Sequence, residues 1–379
     1  SRSQPFVALQ RTTVRADKPC RLVLRAQIDW RGQTGRLCKR VMTGRHNAPR
    51  AGYGDRDAIA LWTGPGELSS LGLAYDSTLT GADDARRMRN DYGHEVDKAE
   101  TQYILEAQPG QAYTLEQVAS LVPSVRHPEP HWQAGRMVAH ARWHGFDRLQ
   151  EENRAAWADL WRGRPVFHGA EPRWQELSDA CFFYTHSSTH ASAYTGIPPF
   201  GLSHRNYKGH VFWDYESFMF PGVLLTAPEA ARAGMVYRGR CLDMARHNAA
   251  LHGLAGALFP WQSGNTGAEV CTFYTSAREF HITPAVGFAV GQYLAATDDR
   301  LFLREHGWPI LRGVAEWCAR FVVRTERGYE TRHLASSNER FHDVDNDSQM
   351  HLFMIGALRA AAHWGRALGE PVPAVWEEI

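Results

Sequence analysis

Acidic and polar side chains are concentrated in one stretch near the end of the chain, SSNERFHDVDNDSQMH, residues 336–351. It holds one Glu, three Asp, two His and two Asn, and it offers few side chains to a hydrophobic core. A carboxylic acid in such a loop can donate a proton in catalysis. The plainer alternative is a solvated loop without a chemical role.

The acids of this stretch also raise the question of a metal site. Asp343, Asp345 and Asp347 follow the D-x-D-x-D pattern that begins an EF-hand calcium loop. The pattern then fails, because Ser348 takes the place of the required Gly and Met354 the place of the closing Glu. The nearby histidines lack the compact spacing of zinc ligands. We therefore expect no metal and no cofactor.

Two tryptophans stand directly beside a carboxyl or amide group. Sugars are bound by an aromatic face against the apolar side of the ring and by carboxylates or amides that hydrogen-bond the hydroxyls. Trp213 beside Asp214, and Trp261 beside Gln262, have that chemistry. The alternative is that both tryptophans belong to the core and that Asp214 caps a helix.

Three motifs follow one another in the order found in a known family. The chain resembles the catalytic-domain signature of glycoside hydrolase family 65, the α-glucoside phosphorylases and hydrolases, in RNYKGHVFWDYESFMFP, YRGRCLDMARHNAALHGLAGALFPWQSGNTGAEVC and EFHIT. The resemblance extends over roughly residues 130–370. It is specific because it rests on the joint order of the motifs.

The resemblance implies a pocket for a glucosyl residue, lined in this family by the FWD and FPW segments. Six residues are predicted to bind substrate: Trp213, Asp214, Trp261, Gln262, Glu269 and His281. Glu269 and His281 are equally well explained as residues that hold the pocket loops in place.

The resemblance also assigns a role to the acidic stretch. The general acid of the family is the Glu of a GPDEYHENVDNN-like loop, and SNERFHDVDND aligns with that loop so that Glu339 takes the place of the acid. The stretch departs from the family beside this position: Asn338 stands where Asp is usual, Arg340-Phe341 replaces Tyr-His, and Asp347 replaces an Asn. Because these changes lie beside the acid, we expect them to affect its pKa and the site of the leaving group.

A general acid must still carry its proton near neutral pH, whereas a Glu side chain in water has lost it. We therefore expect burial or negative charge around the acid. Asp343, Asp345 and Asp347 are the candidate charges, and Arg340 would oppose them.

The resemblance implies cleavage of an α-glucoside with inversion at the anomeric carbon. The nucleophile is then water, activated by a second carboxylate, or inorganic phosphate as a co-substrate. Parts of the motifs resemble the branch of acid trehalase, glucosylgalactosyl-hydroxylysine glucosidase and kojibiose hydrolase, which favours hydrolysis of a glucosyl disaccharide or glucosyl-glycoconjugate. A phosphorylase that releases β-glucose 1-phosphate, and a catalytically idle sugar-binding homologue, stay open as alternatives.

Strand patterns fill the first third of the chain. RLVLRAQIDW places Leu22, Leu24, Ala26 and Ile28 on one face, and further alternating runs follow, broken by Gly and charged residues as turns are. We predict that residues 1–125 form a β-rich N-terminal domain, an antiparallel β-sandwich part that is truncated.

After PSVRHPEPH the apolar residues follow helical spacing. The three prolines of this stretch indicate a boundary. Residues 126–165 are predicted to form a helical linker, and residues 166–379 the first part of an (α/α)6-type helical toroid. A complete toroid needs more helices than the pattern supplies. The catalytic base or phosphate site of the family also lies well beyond the acid. We therefore expect a longer protein.

Composition narrows the choice of partners. The 42 basic residues balance 41 acidic ones, so a nucleic-acid or polyanion partner is not indicated. The sequence contains no apolar run of about 20 residues, the length of a membrane helix. The six cysteines show no CxxC spacing and are predicted to be mostly buried thiols, Cys181 among them. The expected partner is an α-glucoside substrate. Because members of the family often dimerise, the resemblance also implies a homodimer.

Overall fold

The computed structural model describes residues 1–41, 57–67, 69–89, 98–204, 206–273 and 277–379. These residues form two compact units, Ser1–Asp159 and Leu160–Ile379. The first unit is built around antiparallel sheets and the second around helices. The predicted fold class, β-rich and then helical, is confirmed.

Two antiparallel sheets make up the β part of the first unit. Their strands are β1 (Val7–Arg15), β2 (Cys20–Asp29), β3 (Arg36–Val41), β4 (Ala58–Thr63), β5 (Ser70–Thr80), β6 (Arg86–Arg89), β7 (Lys98–Ala107) and β8 (Ala112–Pro123). One sheet has the order β1-β8-β5-β4-β3 and the other the order β2-β7-β6. Every ladder is antiparallel, as predicted.

The inner faces of the two sheets share one core. Leu24 and Ala26 of β2 are buried there, opposite Tyr75 of β5 and Tyr113 of β8. Their neighbours along β2 are exposed, which is the period-two pattern of a strand with one buried face. The predicted sandwich follows directly from this alternation.

A helix covers the outer face of the five-stranded sheet. Helix α1 (Pro130–His144) packs Ala134 and Val138 against Ala74 of β5, and α2 (Phe146–Trp161) follows it. The contact is close: a Cβ on Gly72 would lie 2.0 Å from the carbonyl of Pro130. The interval predicted as a linker therefore contains α1 and α2, and its residues as far as Asp159 group with the sheets.

The second unit is mainly helical. Its elements are α3 (Pro172–Ser187), α4 (Phe220–Thr226), α5 (Pro228–Arg240), α6 (Leu242–Leu251), α7 (Ile282–Thr297), α8 (Arg300–Phe302), α9 (Trp308–Phe321), the hairpin of β9 (Val323–Thr325) and β10 (Gly328–Glu330), α10 (Ser348–Leu368) and α11 (Val375–Glu378). In the described ranges no helix is both long and apolar enough to cross a membrane.

Helices α7, α9 and α10 pack together at the centre of this unit. Gly287 of α7 lies where a Cβ would be 2.8 Å from Ala357 of α10 and 2.9 Å from Val314 of α9. Asp347 begins α10 by accepting a hydrogen bond from the Met350 N–H at 2.9 Å. This packing fixes the helix starts that carry the predicted site residues.

The cysteines correct one expectation. Cys241 and Cys318 are buried, but Cys20, Cys38 and Cys181 are exposed free thiols. Cys181 shares a helical stripe with Trp174 and Tyr184, which are 56% and 57% exposed. Helical spacing alone does not reveal which face of a helix is covered, and here the apolar stripe of α3 is exposed.

Candidate active site

Some of the predicted site residues lie directly before helical elements, and the others lie in the connecting segments. Trp213 and Asp214 precede the π-helical turn Tyr215–Met219 that leads into α4, and His281 precedes α7. Glu339 lies in the loop between β10 and α10. The candidate site is thus built from the segments that precede α4, α7 and α10 and from the FPW segment between α6 and α7.

The FWD and FPW segments are joined by backbone pairing. The Val211 N–H donates to the Ser263 carbonyl at 2.9 Å, and the Ser263 N–H donates to the Val211 carbonyl at 3.0 Å. The preceding turn has left-handed φ values of 57° at Tyr207 and 54° at Lys208, which are uncommon for residues other than Gly and concentrate at functional sites. Arg205, at the start of this motif, lies outside the described residues.

A buried arginine ties the same two segments together, and we call Glu216, Arg238 and Ser263 the Arg238 junction. Arg238, with no exposed surface, donates to both carboxylate oxygens of Glu216 at 2.7 and 2.9 Å. It also donates to Ser263 Oγ at 2.8 Å, and Ser263 Oγ donates to the Val211 carbonyl at 3.0 Å. Sequence reasoning did not single out this junction.

The two tryptophans flank one histidine, and both are buried in the hydrophobic core of the second unit, as the core alternative has it. The rings of Trp213 and His281 are 4.5 Å apart at 82°, and those of Trp261 and His281 are 5.0 Å apart at 69°. Burial lowers the pKa of His281 to about 4, although the charge of Asp347 opposes this, so the imidazole is neutral at neutral pH. Its Nε2 is buried without a hydrogen-bond partner among the described residues.

Asp214 lies near Glu339. Its side chain does not cap the following turn, so the helix-cap alternative is not what the geometry shows. Burial raises the pKa of Asp214, and the charges of Glu216 and Glu339 raise it further. The structure thus brings a predicted sugar-binding carboxyl and the predicted acid within electrostatic range of each other.

Glu339 lies in an exposed turn that we call the acid loop, residues 336–347, so the burial expected around the acid is not found. The Phe341 N–H donates to the Asn338 carbonyl at 3.0 Å and so closes the turn around Glu339. Ser336 Oγ accepts from the Asn338 N–H at 3.1 Å and donates to Asp347 at 2.7 Å. The loop is therefore anchored to the residue that begins α10.

The other acids of this loop are engaged elsewhere. Asp345 is bonded by Arg332 and by the His333 N–H, and Asp343 lies 3.0 Å from the His333 ring. The charge of Glu339 instead raises the pKa values of two carboxyl groups outside the loop, those of Asp214 and Glu279. In the part of the chain that the structure describes, no group of three or more His, Cys, Asp or Glu could hold a metal ion.

Glu269 holds the FPW turn. Its carboxylate accepts from the N–H groups of Trp261 at 2.6 Å, Gln262 at 3.2 Å and Cys271 at 2.9 Å. Gln262 in turn contacts His210 Nδ1 through Nε2 at 2.7 Å, which leaves its carbonyl oxygen to accept from another group. These contacts match the loop-holding alternative for Glu269, and a sugar contact by Glu269 stays a prediction.

Glu279 is a site residue that sequence reasoning missed. It lies in the EFHIT motif two residues before His281, and its Oε2 is 3.6 Å from His281 Nδ1. Burial raises the pKa of Glu279 to about 8, with further contributions from the charges of Glu339 and Asp347. The two-residue spacing was the available signal, since alternate residues of an extended segment lie on the same side.

The two-unit fold and this aromatic and carboxyl-rich site define the class of protein, and family models agree with it. The central catalytic domain of glycosyl hydrolase family 65 matches residues 180–373, and the N-terminal domain of that family matches residues 1–160. The chain belongs to glycoside hydrolase family 65, as the motifs indicated.

Several relatives are similar in sequence. A kojibiose hydrolase of Flavobacterium johnsoniae is 32% identical over 78% of this chain and 44% of its own length. A protein-glucosylgalactosylhydroxylysine glucosidase of Gallus gallus is 40% identical over 61% of this chain and 35% of its own. A kojibiose phosphorylase of Caldanaerobacter subterraneus subsp. tengcongensis is 35% identical over 55% and 29%. The chain thus spans less than half the length of each relative.

A solved structure shares the fold. A kojibiose-phosphorylase-like protein from the human microbiome superposes with a TM-score of 0.79 at 16% identity, over 98% of this chain and 49% of the other. At that identity the likeness concerns the fold alone. It extends over both the β-rich and the helical unit.

Proposed function

We propose that the protein is an inverting hydrolase of an α-linked glucosyl disaccharide or glucosyl-glycoconjugate, with Glu339 as the general acid. The observation that carries the proposal is that Glu339 lies within electrostatic range of Asp214, which follows Trp213, and of Glu279, which lies two residues before His281. The similarity to a kojibiose hydrolase and to a glucosylgalactosylhydroxylysine glucosidase supports hydrolysis.

In this mechanism Trp213 and Trp261 present aromatic surface to the glucosyl ring, while Asp214 and Gln262 hydrogen-bond its hydroxyls. Glu339 donates its proton to the bridging oxygen as the bond from that oxygen to the anomeric carbon breaks. A water molecule forms the new bond from the opposite face and gives its proton to a base. The product is therefore the β-anomer of glucose.

Phosphorolysis is the second candidate, and the kojibiose phosphorylase relative favours it. The early steps are the same, but inorganic phosphate attacks in place of water and the product is β-glucose 1-phosphate. No resident cofactor is needed in either reaction. A sugar-binding homologue without turnover is the remaining alternative, supported by the Asn338-Glu339-Arg340 departure from the family loop.

One assay separates the three candidates. The full-length protein is incubated with kojibiose, nigerose, maltose, trehalose and a glucosylgalactosyl-hydroxylysine peptide, with and without phosphate. Free glucose that needs no phosphate supports the hydrolase, and glucose 1-phosphate formed only with phosphate supports the phosphorylase. Proton NMR of the first product tests inversion, because α-glucose as the initial anomer would contradict the mechanism. Binding of a sugar without turnover would support the sugar-binding homologue.

A further inference from the structure

Glu279 has a carboxyl oxygen to which no group of the described residues is hydrogen-bonded. The residue is 3% exposed, and its Oε2 has no hydrogen-bond partner among the described residues. The distance of 3.6 Å to His281 Nδ1 is too long for a hydrogen bond. His281 Nε2 is also buried and unpartnered. Native proteins rarely leave such atoms unsatisfied, so two of them within one three-residue segment indicate a group that comes from outside the chain.

The surroundings of Glu279 indicate what that group is. Glu279 lines a cavity of about 240 Å³ together with Trp261, Phe259 and Glu269. Glu269 is occupied by backbone N–H groups, so among the described carboxyl groups that line this cavity Glu279 is the one whose Oε2 has no hydrogen-bond partner. An indole ring beside a free carboxyl is the combination that binds a sugar ring and its hydroxyls.

We propose that Glu279 is a further substrate-binding residue, whose carboxyl group hydrogen-bonds a hydroxyl of the glucosyl unit bound at Trp261. This inference rests on the proposed function. It adds a contact that the motifs did not assign, from the segment that also supplies His281.

The charge of Glu279 decides what kind of contact it makes. The charged or titratable groups around it are Glu339, Asp347 and His281, with Glu269 and His252 lining the same cavity. Because the pKa of Glu279 is about 8 and His281 is neutral at neutral pH, the group is a carboxylic acid that both donates and accepts. As the pH rises through 8, the donor is lost and a negative charge appears near Glu339.

The test compares Glu279→Gln with Glu279→Ala in the full-length protein. Glutamine keeps one donor and one acceptor at every pH, so at pH 7 its KM for the cleaved α-glucoside and its Kd for D-glucose should stay within about threefold of wild type. Alanine removes both, and we expect KM to rise about tenfold or more. Glu176→Gln, an exposed carboxylate on α3, is the matched control and should change neither value.

The pH profile separates this role from a structural one. If only the protonated form binds, the wild-type Kd for D-glucose should rise about tenfold from pH 7 to pH 9, whereas Glu279→Gln should stay flat. An active wild type whose profile matches that of Glu279→Gln would overturn the inference and leave the proposed function intact. A wild type that neither binds glucose nor cleaves any α-glucoside would overturn both. The Gln profile keeps the test decisive even if Glu279→Ala does not fold.

Discussion

The Arg238 junction and the acid loop are built in opposite ways, although both serve the same site. The junction places a fully buried arginine against a buried carboxylate and a buried hydroxyl. The acid loop is mostly exposed and is held by individual hydrogen bonds of Ser336 and Asn338. One region positions the predicted sugar-binding segments by burial, and the other leaves the proposed proton donor in contact with solvent.

Because of this difference, we expect substitutions in the junction to change folding stability and substitutions in the acid loop to change the reaction rate. A buried ion pair that loses one partner leaves an uncompensated charge in the interior, so the junction should respond to substitution mainly through folding. An exposed loop contributes little to folding, so its acid should respond mainly through the rate of the reaction. Each prediction below tests one side of this contrast.

The largest effect is expected from Glu339→Gln. The amide keeps the shape of the side chain but cannot donate the proton, so kcat should fall by about a thousandfold or more, within the range of general acid catalysis. The melting temperature should hardly change because the residue is exposed. Initial rates of glucose release and a thermal melt measure the two quantities, with the exposed Glu326→Gln as control. Residual activity within about tenfold of wild type would count against Glu339 as the acid.

The next effect is on folding. Arg238→Met should lower the free energy of unfolding by about 3–5 kcal/mol, because Glu216 would be left buried and unpaired. Urea denaturation measures this, and Arg320→Met on the exposed face of α9 is the control. The double variant Arg238→Met/Glu216→Leu should recover part of the loss, since it removes the unpaired charge. A loss below about 1 kcal/mol in the single variant would mean that the junction does not hold the site.

The smallest effect is expected at the base of the acid loop. Ser336→Ala removes the bond to Asp347 and the acceptor for the Asn338 N–H, and should lower stability by about 1 kcal/mol. A less fixed Glu339 should also lower kcat by about threefold, with KM nearly unchanged. The neighbouring Ser337→Ala is the matched control. Equal behaviour of the two variants would show that this anchoring does not position the acid.

Local patterns predicted much of the fold. The alternation of β2 predicted which of its residues face the core, and the proline-rich stretch indicated where strands give way to helices. Both features depend on residues close together in the chain. The exposed stripe around Cys181 shows the limit of such patterns, because helical spacing identifies an apolar face without showing what covers it.

The candidate site residues came from motifs, and their roles stay predictions. The resemblance indicated Trp213, Trp261 and Glu339 together, and the structure places them in one region. The bonds between Arg238 and Glu216 could not be read from spacing, since they join residues 22 apart through tertiary packing. The burial that leaves the Glu279 oxygen without a partner is likewise set by the surrounding side chains, not by the EFHIT pattern.

The pairing of Val211 with Ser263 has a practical consequence for protein engineering. Because the two segments are paired through their backbones and through side chains that bond one shared guanidinium, those of Glu216 and Ser263, transplanting either aromatic segment alone into another scaffold would leave it without its counterpart. A chimaera designed to exchange these segments should therefore carry both of them, together with the carboxyl-terminal end of α5, as a single cassette.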